Sequence, residues 1–258
     1  MTVRELFTIL DRKIPRSLSC SWDNDGLMCC PDSARQVRRV LIALDATADV
    51  VRCAIDGDYD LIVTHHPFIF RGIRTFEDAD PVVSKAIELV KAGISVMSFH
   101  TRLDALEGGV NDVLADSLEL GNVTVFESES QPIGRIGELA APMSLSDFAL
   151  KVKNVLGCPF VLVSDAGHDV LRVAVVGGSG KDMINDARAA GADTFVSGRI
   201  DYHPMTDEPD RTSKAINLVE AGHFYTEQPV CSVLRDFIRE IDEDIECDIT
   251  NSNRIKAI

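Results

Sequence analysis

Short continuous apolar runs alternate along the chain with segments of helical spacing. The runs at residues 40–44, 61–63 and 94–99 have the length of buried strands. Between them, apolar residues recur every three or four positions, and one helix is expected to begin at Asp80-Pro81 and to end at Gly93. The order strand, helix, strand, helix, strand predicts a largely parallel sheet covered by helices.

The second half of the chain repeats this pattern. A shift of 133 residues aligns 39–60 with 172–193 without a gap. A shift of 129 aligns the decamer SKAIELVKAG at 84–93 with SKAINLVEAG at 213–222, with eight identities in ten positions. We therefore predict that both decamers form the same helix and that the chain contains two homologous α/β halves.

Composition and charge limit the class of protein. The chain has 258 residues, 45% of them hydrophobic, and 41 acidic against 26 basic side chains give a net charge of −15. This composition excludes a disordered chain, and the charge disfavours nucleic acid and anionic membranes as partners. No apolar run approaches the ~18 residues of a membrane helix, and no secretion signal is recognisable. The seven cysteines lack a C-x-x-C pair, so we expect reduced thiols and a cytoplasmic location.

Polar side chains that can bind metals follow the predicted strands and occupy one helical turn. The candidate ligands are His65, His66, Asp104, His223 and Glu227, with His100 close by. Three imidazoles and two carboxylates suit Zn, Fe(II), Mn or Ni better than Ca or Mg. One carboxylate could bridge two ions, which would allow a two-metal centre with a shared water. For any single histidine, a buried and hydrogen-bonded structural role is an equally good interpretation.

Three other features admit a structural interpretation. Asp45 follows the strand at 40–44 and is either a helix cap, which we favour, or a carboxylate that holds an imidazole. The glycine-rich turn at 177–180 lacks the spacing of a phosphate-binding loop. Trp22, the single tryptophan, is expected to be a packed anchor.

Several motifs resemble one protein family over nearly the whole chain. They are W-D-N-x-G-L at 22–27, L-D-A-T at 44–47, L-I-V-T-H-H-P at 61–67, H-T-x-L-D at 100–104, G-G-V-N-D at 108–112, G-G-S-G at 177–180, G-x-x-x-Y-H at 198–203 and G-H-x-x-T-E at 222–227. The combination of T-H-H-P with G-H-x-x-T-E is highly specific. The chain therefore resembles the dinuclear-metal-centre family named after the yeast Ngg-one-interacting factor three, which is often labelled GTP cyclohydrolase I type 2.

The resemblance implies an architecture, a cofactor and an assembly. The implied fold is α/β, with two homologous, intertwined three-layer α/β/α halves and mixed, largely parallel sheets. We divide it into residues 1–125 with 221–258, which carry most of the ligands, and residues 126–220. The resemblance also implies a toroidal homohexamer with two divalent metal ions per subunit. The implied metal ligands are His65, His66, Asp104, His223 and Glu227, with Glu227 as the bridge.

One departure from the family pattern affects the second half. Arg199 occupies the position of the acid that is common in the motif G-D-x-x-Y-H. It does not touch the five implied ligands, but it leaves open the roles of Arg199, Tyr202 and His203.

Two hypotheses for function follow from the resemblance and the ligand set. In the first, the protein is a metal-dependent hydrolase of the GTP cyclohydrolase I type 2 kind. It would act on a small molecule such as a nucleotide through a metal-bridging water, with His100 as the catalytic proton shuttle. In the second, it is a non-enzymatic hexameric scaffold that binds or delivers metal or has a regulatory role. Both hypotheses need the same ligands, so the motifs do not separate them.

Overall fold

The computed structural model describes residues 1–128 and 131–257, and the chain divides into two compact units. Unit 1 comprises Met1–Leu103 with Val230–Lys256, and unit 2 consists mainly of Asp104–Pro229. Unit 1 is therefore built from two separate segments of the chain. The predicted domain boundaries, at 125/126 and 220/221, both fall inside unit 2.

The described residues contain ten α-helices and eleven β-strands. The helices are α1 (Val3–Lys13), α2 (Ala48–Asp56), α3 (Pro81–Ala92), α4 (Thr101–Ala105), α5 (Val110–Ser117), α6 (Leu145–Leu156), α7 (Ile184–Ala189), α8 (Tyr202–Asp207), α9 (His223–Glu227) and α10 (Val230–Ile241). The strands are β1 (Gly26–Cys29), β2 (Arg39–Ala43), β3 (Leu61–Thr64), β4 (Ser95–Ser98), β5 (Gly121–Ser128), β6 (Gln131–Met143), β7 (Leu162–Ser164), β8 (Val170–Ser179), β9 (Thr194–Arg199), β10 (Asn217–Glu220) and β11 (Glu246–Ile249).

The sheet of unit 1 has the strand order β1-β4-β3-β2-β11. All its neighbouring strands are parallel except the pair of β1 with β4. Leu41, Ile62 and Val96 pack with α2 and α3 on one face, while the alternate residues Val40 and Val63 are also fully buried. Because β2, β3 and β4 are parallel, the residues that follow them meet at one edge of the sheet.

The sheet of unit 2 has the order β5-β6-β8-β9-β10-β7, in which β8, β9 and β10 are parallel. Leu114 of α5 and Phe148 of α6 are fully buried in a core cluster with Val175 of β8. Helix α5 therefore belongs to the second sheet, which is why unit 2 begins well before the predicted boundary. Both units are α/β with mixed sheets, and this confirms the predicted fold class.

The predicted repeat is present in the strand register. Val40 pairs with Leu61 in unit 1, and the residues 133 positions later, Val173 and Thr194, pair in unit 2. In unit 1, a carboxylate oxygen of Asp60 accepts hydrogen bonds from two successive backbone N–H groups at the start of β2, at 2.8 and 3.1 Å. Its counterpart in unit 2, 133 positions later, does the same at β8, at 3.0 and 2.7 Å. The strand–helix–strand segment is thus duplicated together with the aspartate that accepts hydrogen bonds from its first strand.

The prediction that both decamers form the same helix is wrong. The first lies in α3, but the second contains β10, whose Leu218 and Val219 are fully buried in the sheet between β9 and β7. Helix α3 begins with Asp80 as its N-cap and proline at its first position, whereas the equivalent positions in unit 2 read Pro209-Asp210. Without that start signal, pairing with β9 overrides the helix propensity that the two decamers share.

No helix in residues 1–128 and 131–257 has the length and apolar character needed to cross a membrane.

Candidate metal centre

Three histidines of unit 1 converge at the carboxyl ends of β3 and β4. His65 and His66 directly follow β3, and His100 is the second residue after β4. Their ring centroids are 5.0, 5.4 and 5.8 Å apart, and each ring offers a nitrogen within 4.8 Å of those of the other two. His65 is fully buried, and the other two are partly buried. This cluster has the composition and spacing to hold a metal ion.

A turn pinned by hydroxyl groups brings the two adjacent histidines together. The hydroxyl of Thr64 donates to the carbonyl of His66 at 2.8 Å, and it lies 2.9 Å from the hydroxyl of Ser98 on β4. Ser98 in turn accepts from the backbone N–H of Phe68 at 3.2 Å. Side chains of adjacent residues on a strand point to opposite faces, so His65 and His66 share one site only because the chain turns here.

Each of the three imidazoles is held at Nδ1 by an oxygen acceptor. Nδ1 of His65 lies 3.0 Å from the carbonyl oxygen of Phe99, and Nδ1 of His66 lies 2.7 Å from a carboxylate oxygen of Asp45. Nδ1 of His100 lies 2.8 Å from the carboxylate of Asp23. Carbonyls and carboxylates only accept hydrogen bonds, so the neutral ring carries its proton on Nδ1 and its lone pair on Nε2. This is the tautomer in which histidines supported by an outer acceptor bind metals.

The favoured role of Asp45 as a helix cap is wrong. The N-cap of α2 is Thr47, whose hydroxyl accepts from the N–H of Val50. The carboxylate of Asp45 instead contacts His66 through one oxygen and accepts from the hydroxyl of Ser252 at 3.3 Å through the other. Asp45 therefore orients an imidazole, the alternative that the sequence left open.

Asp23 supports His100 from the loop before β1. Its side chain is fully buried, and it accepts hydrogen bonds from the N–H and the hydroxyl of Thr101 at 3.0 and 2.6 Å. Burial by itself raises the pKa of Asp23, but the hydrogen bonds from His100 and Thr101 outweigh it and lower the pKa to about 2. The neighbouring Trp22 is 59% exposed, so its prediction as a packed anchor is wrong.

Unit 2 carries the other three predicted side chains. His223 and Glu227 lie one turn apart on α9, with Nε2 of the imidazole 3.0 Å from a carboxylate oxygen. Asp104 also offers a carboxylate oxygen within 4.8 Å of one of Glu227. Glu227 is 4% exposed and Asp104 is partly buried, whereas the side chain of His223 is 44% exposed. Glu227 is thus adjacent to both other groups in this donor set.

A glycine at the end of β8 leaves room for this donor set. Gly178 has φ +64°, and a Cβ there would collide with Oε1 of Glu227 and lie 3.3 Å from Cε1 of His223. Its N–H donates to the hydroxyl of Thr226, which in turn donates to the carbonyl of His223 at 2.9 Å. The G-G-S-G turn therefore makes room for the side chains of α9, because only glycine combines this conformation with the absence of a side chain.

Asn111 connects Asp104 to the sheet of unit 2, a role that its position in the sequence did not indicate. Its amide donates to the carbonyls of Asp104 and Ile133 at 3.2 and 2.9 Å, and its oxygen accepts from the N–H of Gly177 at 2.7 Å. Asn111 is fully buried. It lay within the G-G-V-N-D motif, but only the fold brings α4, β6 and β8 to it.

The donor chemistry of both units fits a divalent transition metal. Unit 1 offers nitrogen donors in the metal-binding tautomer, and unit 2 offers two carboxylates and an imidazole around the space that Gly178 leaves. Such mixtures of imidazole and carboxylate, without thiolate, suit Zn, Fe(II), Mn or Ni.

Comparison with known families identifies the family of this chain. The model of the family Duf34/NIF3 (NGG1p interacting factor 3) matches residues 1–257, and the chain belongs to this family. The resemblance inferred from the motifs is thereby confirmed.

Relatives and solved structures extend the likeness over the whole chain. A Clostridium perfringens protein named GTP cyclohydrolase 1 type 2 homolog is 31% identical over 252 residues, which cover 95% of each chain. A Streptomyces coelicolor protein of the same name is 32% identical over 93% of this chain and 86% of its own. The crystal structure of the Staphylococcus aureus protein SA1388 has a TM-score of 0.88 at 27% identity, over 100% of this chain and 99% of that one.

Proposed function

We propose that the protein binds two divalent transition-metal ions and is a metal-dependent hydrolase. The observation that carries the proposal is the cluster of three imidazoles in unit 1, each with Nδ1 held by an oxygen acceptor. A single buried histidine often has a hydrogen-bonded ring nitrogen for structural reasons, but three rings that converge in this tautomer suit a metal site, in which His65 and His66 are the proposed ligands and His100 lies beside them. The name of these two relatives, GTP cyclohydrolase 1 type 2 homolog, supports a hydrolytic reaction.

Five side chains are the proposed ligands of a dinuclear centre. They are His65, His66, Asp104, His223 and Glu227. Glu227 is the proposed bridge, because it lies adjacent to both Asp104 and His223 in unit 2. When bound, a pair of such ions lowers the pKa of a bound water and stabilises developing negative charge.

The remaining polar groups orient the ligands and move protons. Phe99 and Asp45 hold the rings of His65 and His66, and Asn111 holds the backbone of Asp104. His100 is the proposed proton shuttle, and Asp23 stays ionised at neutral pH because its pKa is lowered to about 2. The ionised Asp23 accepts the hydrogen bond from Nδ1 of His100 and so orients its ring.

The proposed setting of this activity is a cytoplasmic homohexamer that acts on a small molecule such as a nucleotide. Membrane and nucleic-acid partners are not part of the proposal, because the net charge of −15 repels anionic surfaces.

Metal content per chain tests the proposal directly. Elemental analysis of the purified protein should find about two equivalents of transition metal. His66→Ala in unit 1 and His223→Ala in unit 2 should each lower this content, and His203→Ala, which changes an exposed histidine outside both donor sets, should not. A wild-type protein that holds no metal, even after incubation with Zn, Mn, Fe(II) or Ni, would refute the proposal.

Turnover separates the hydrolase from a metal-binding scaffold. A screen of nucleotides and phosphoesters with the metal-loaded protein should find a substrate whose hydrolysis Asp104→Asn abolishes while the assembly stays intact. A metal-loaded protein that turns over none of them would leave the non-enzymatic scaffold as the better description.

A further inference from the structure

The loop between His66 and α3 carries two exposed arginines. Arg71 and Arg74 are exposed, and neither side chain forms an ion pair or hydrogen bond within residues 1–128 and 131–257. The same loop contains Glu77 and Asp78, but within residues 1–128 and 131–257 neither carboxylate pairs with these arginines, so both guanidinium groups can contact an anionic ligand.

These arginines line a cavity that also contains a lysine. The cavity has a volume of about 580 Å³, and its basic lining residues are Arg71, Arg74 and Lys85. The acid among its described lining residues is Asp80, whose carboxylate is engaged as the N-cap of α3 at 2.8 and 3.1 Å from two backbone N–H groups. The cavity wall therefore carries three cations, and its one carboxylate already has hydrogen-bond partners.

The basic cavity adjoins a second cavity at the candidate metal centre. The second cavity, of about 170 Å³, is lined by His66 and its partner Asp45. Both cavities share Pro67, Phe68 and Lys85 as walls. The ammonium of Lys85 donates to the carbonyl of Ala46 at 2.7 Å and lies 5.2 Å from the ring centroid of Phe68. This lysine is therefore held in place at the junction of the two cavities.

We propose that the basic cavity binds the phosphate groups of a phosphorylated small-molecule substrate, with Arg71, Arg74 and Lys85 as the recognising residues. A guanidinium group donates two parallel hydrogen bonds to phosphate oxygens, and an ammonium group adds a compact positive charge. A substrate anchored there extends along Pro67 and Phe68 toward His66. This inference rests on the proposed function, because it names the substrate class of the same metal centre.

Binding of inorganic pyrophosphate to metal-free protein tests the cavity. The protein is stripped with EDTA, and pyrophosphate is titrated by calorimetry at low ionic strength, where exposed cations act most strongly. Arg71→Ala/Arg74→Ala should weaken binding by about tenfold or more, since a hydrogen bond to a charged group contributes about that much. Lys85→Met should also weaken pyrophosphate binding.

A matched double variant controls for net charge. Arg4→Ala/Arg12→Ala removes two exposed arginines of α1 that line neither cavity and have no acidic partner in the described part of the chain. It should leave the affinity for pyrophosphate within about twofold. Equal losses of pyrophosphate affinity in both double variants would overturn the inference, because they would show a general effect of net charge. A wild-type protein that binds no pyrophosphate would also overturn it.

Metal content of the same proteins separates this inference from the proposed function. The Arg71→Ala/Arg74→Ala variant should hold as much metal as the wild type. Normal metal content together with unchanged pyrophosphate affinity would reject the phosphate site and leave the metal centre standing. A wild-type protein without metal would reject the proposed function, while titration of the metal-free protein still decides whether the cavity binds phosphate.

Discussion

Removing Asp45 should weaken metal binding although Asp45 is not a proposed ligand. Its carboxylate lies 2.7 Å from Nδ1 of His66 and holds that ring in the metal-binding tautomer. Loss of such an outer partner lowers metal affinity by about 10- to 100-fold in other metal sites, equivalent to about 1.4–2.7 kcal/mol. The side chain of Asp45 is 42% exposed, so solvent screening places the effect near the lower end of this range.

Two substitutions separate the contribution of the carboxylate charge to metal affinity from that of the hydrogen-bond acceptor. Asp45→Ala removes the acceptor and should lower affinity by about tenfold. Asp45→Asn keeps an oxygen that can accept from Nδ1 and removes only the charge, so its loss should be about threefold. Dissociation constants are measured by competition with a chromophoric chelator on protein that has been stripped and reloaded with one metal.

Ser252→Ala is the matched control for this pair. It removes the hydroxyl that contacts the backbone N–H and the other carboxylate oxygen of Asp45, and it leaves the contact with His66 in place. It should change the affinity by less than about twofold. If Asp45→Ala binds metal as tightly as the wild type, then His66 needs no outer partner, and the argument from the Nδ1 contacts is wrong.

Three further predictions test the supporting structure. Asp23→Asn should reduce turnover and leave metal affinity within about twofold, because its partner His100 is the proposed proton shuttle; a large loss of metal would make His100 a ligand. Asp60→Ala should lower the melting temperature by roughly 4–8 °C, through loss of about 2 kcal/mol. Burial raises the pKa of Asp60, but backbone and arginine hydrogen bonds lower it below its usual value of 3.8. The stabilisation by Asp60 should therefore be complete above pH 3.8 and disappear as the pH falls through the lower folded pKa, and an acid titration of unfolding that shows no difference from Asp60→Ala would contradict this. Gly178→Ala should displace Glu227 and so reduce metal binding in unit 2. Gly157 has the same φ of +64° but lies in open space, so Gly157→Ala should lower stability without loss of metal. Elemental analysis and calorimetry of both variants test this.

The local sequence determined which elements form wherever start and stop signals agree with periodicity. Helix α3 begins at its Asp80 cap and ends at Gly93 in a left-handed conformation, as predicted. The apolar runs became β2, β3 and β4, and parallel strands necessarily bring their carboxyl ends to one edge. For this reason the convergence of His65, His66 and His100 in unit 1 could be anticipated from their positions after these strands.

Tertiary structure decided the rest, and the two decamers show why. They share eight of ten residues, yet one is a helix and the other contains a buried strand, because β9 and β7 supply partners in unit 2 and the helix start signal is absent there. The supporting carboxylates were decided in the same way, because the sequence left the role of Asp45 open and indicated none for Asp23. Asp23 and Asp45 lie 77 and 21 residues from the histidines that they hold, and no local spacing encodes a contact that exists only after distant strands have paired.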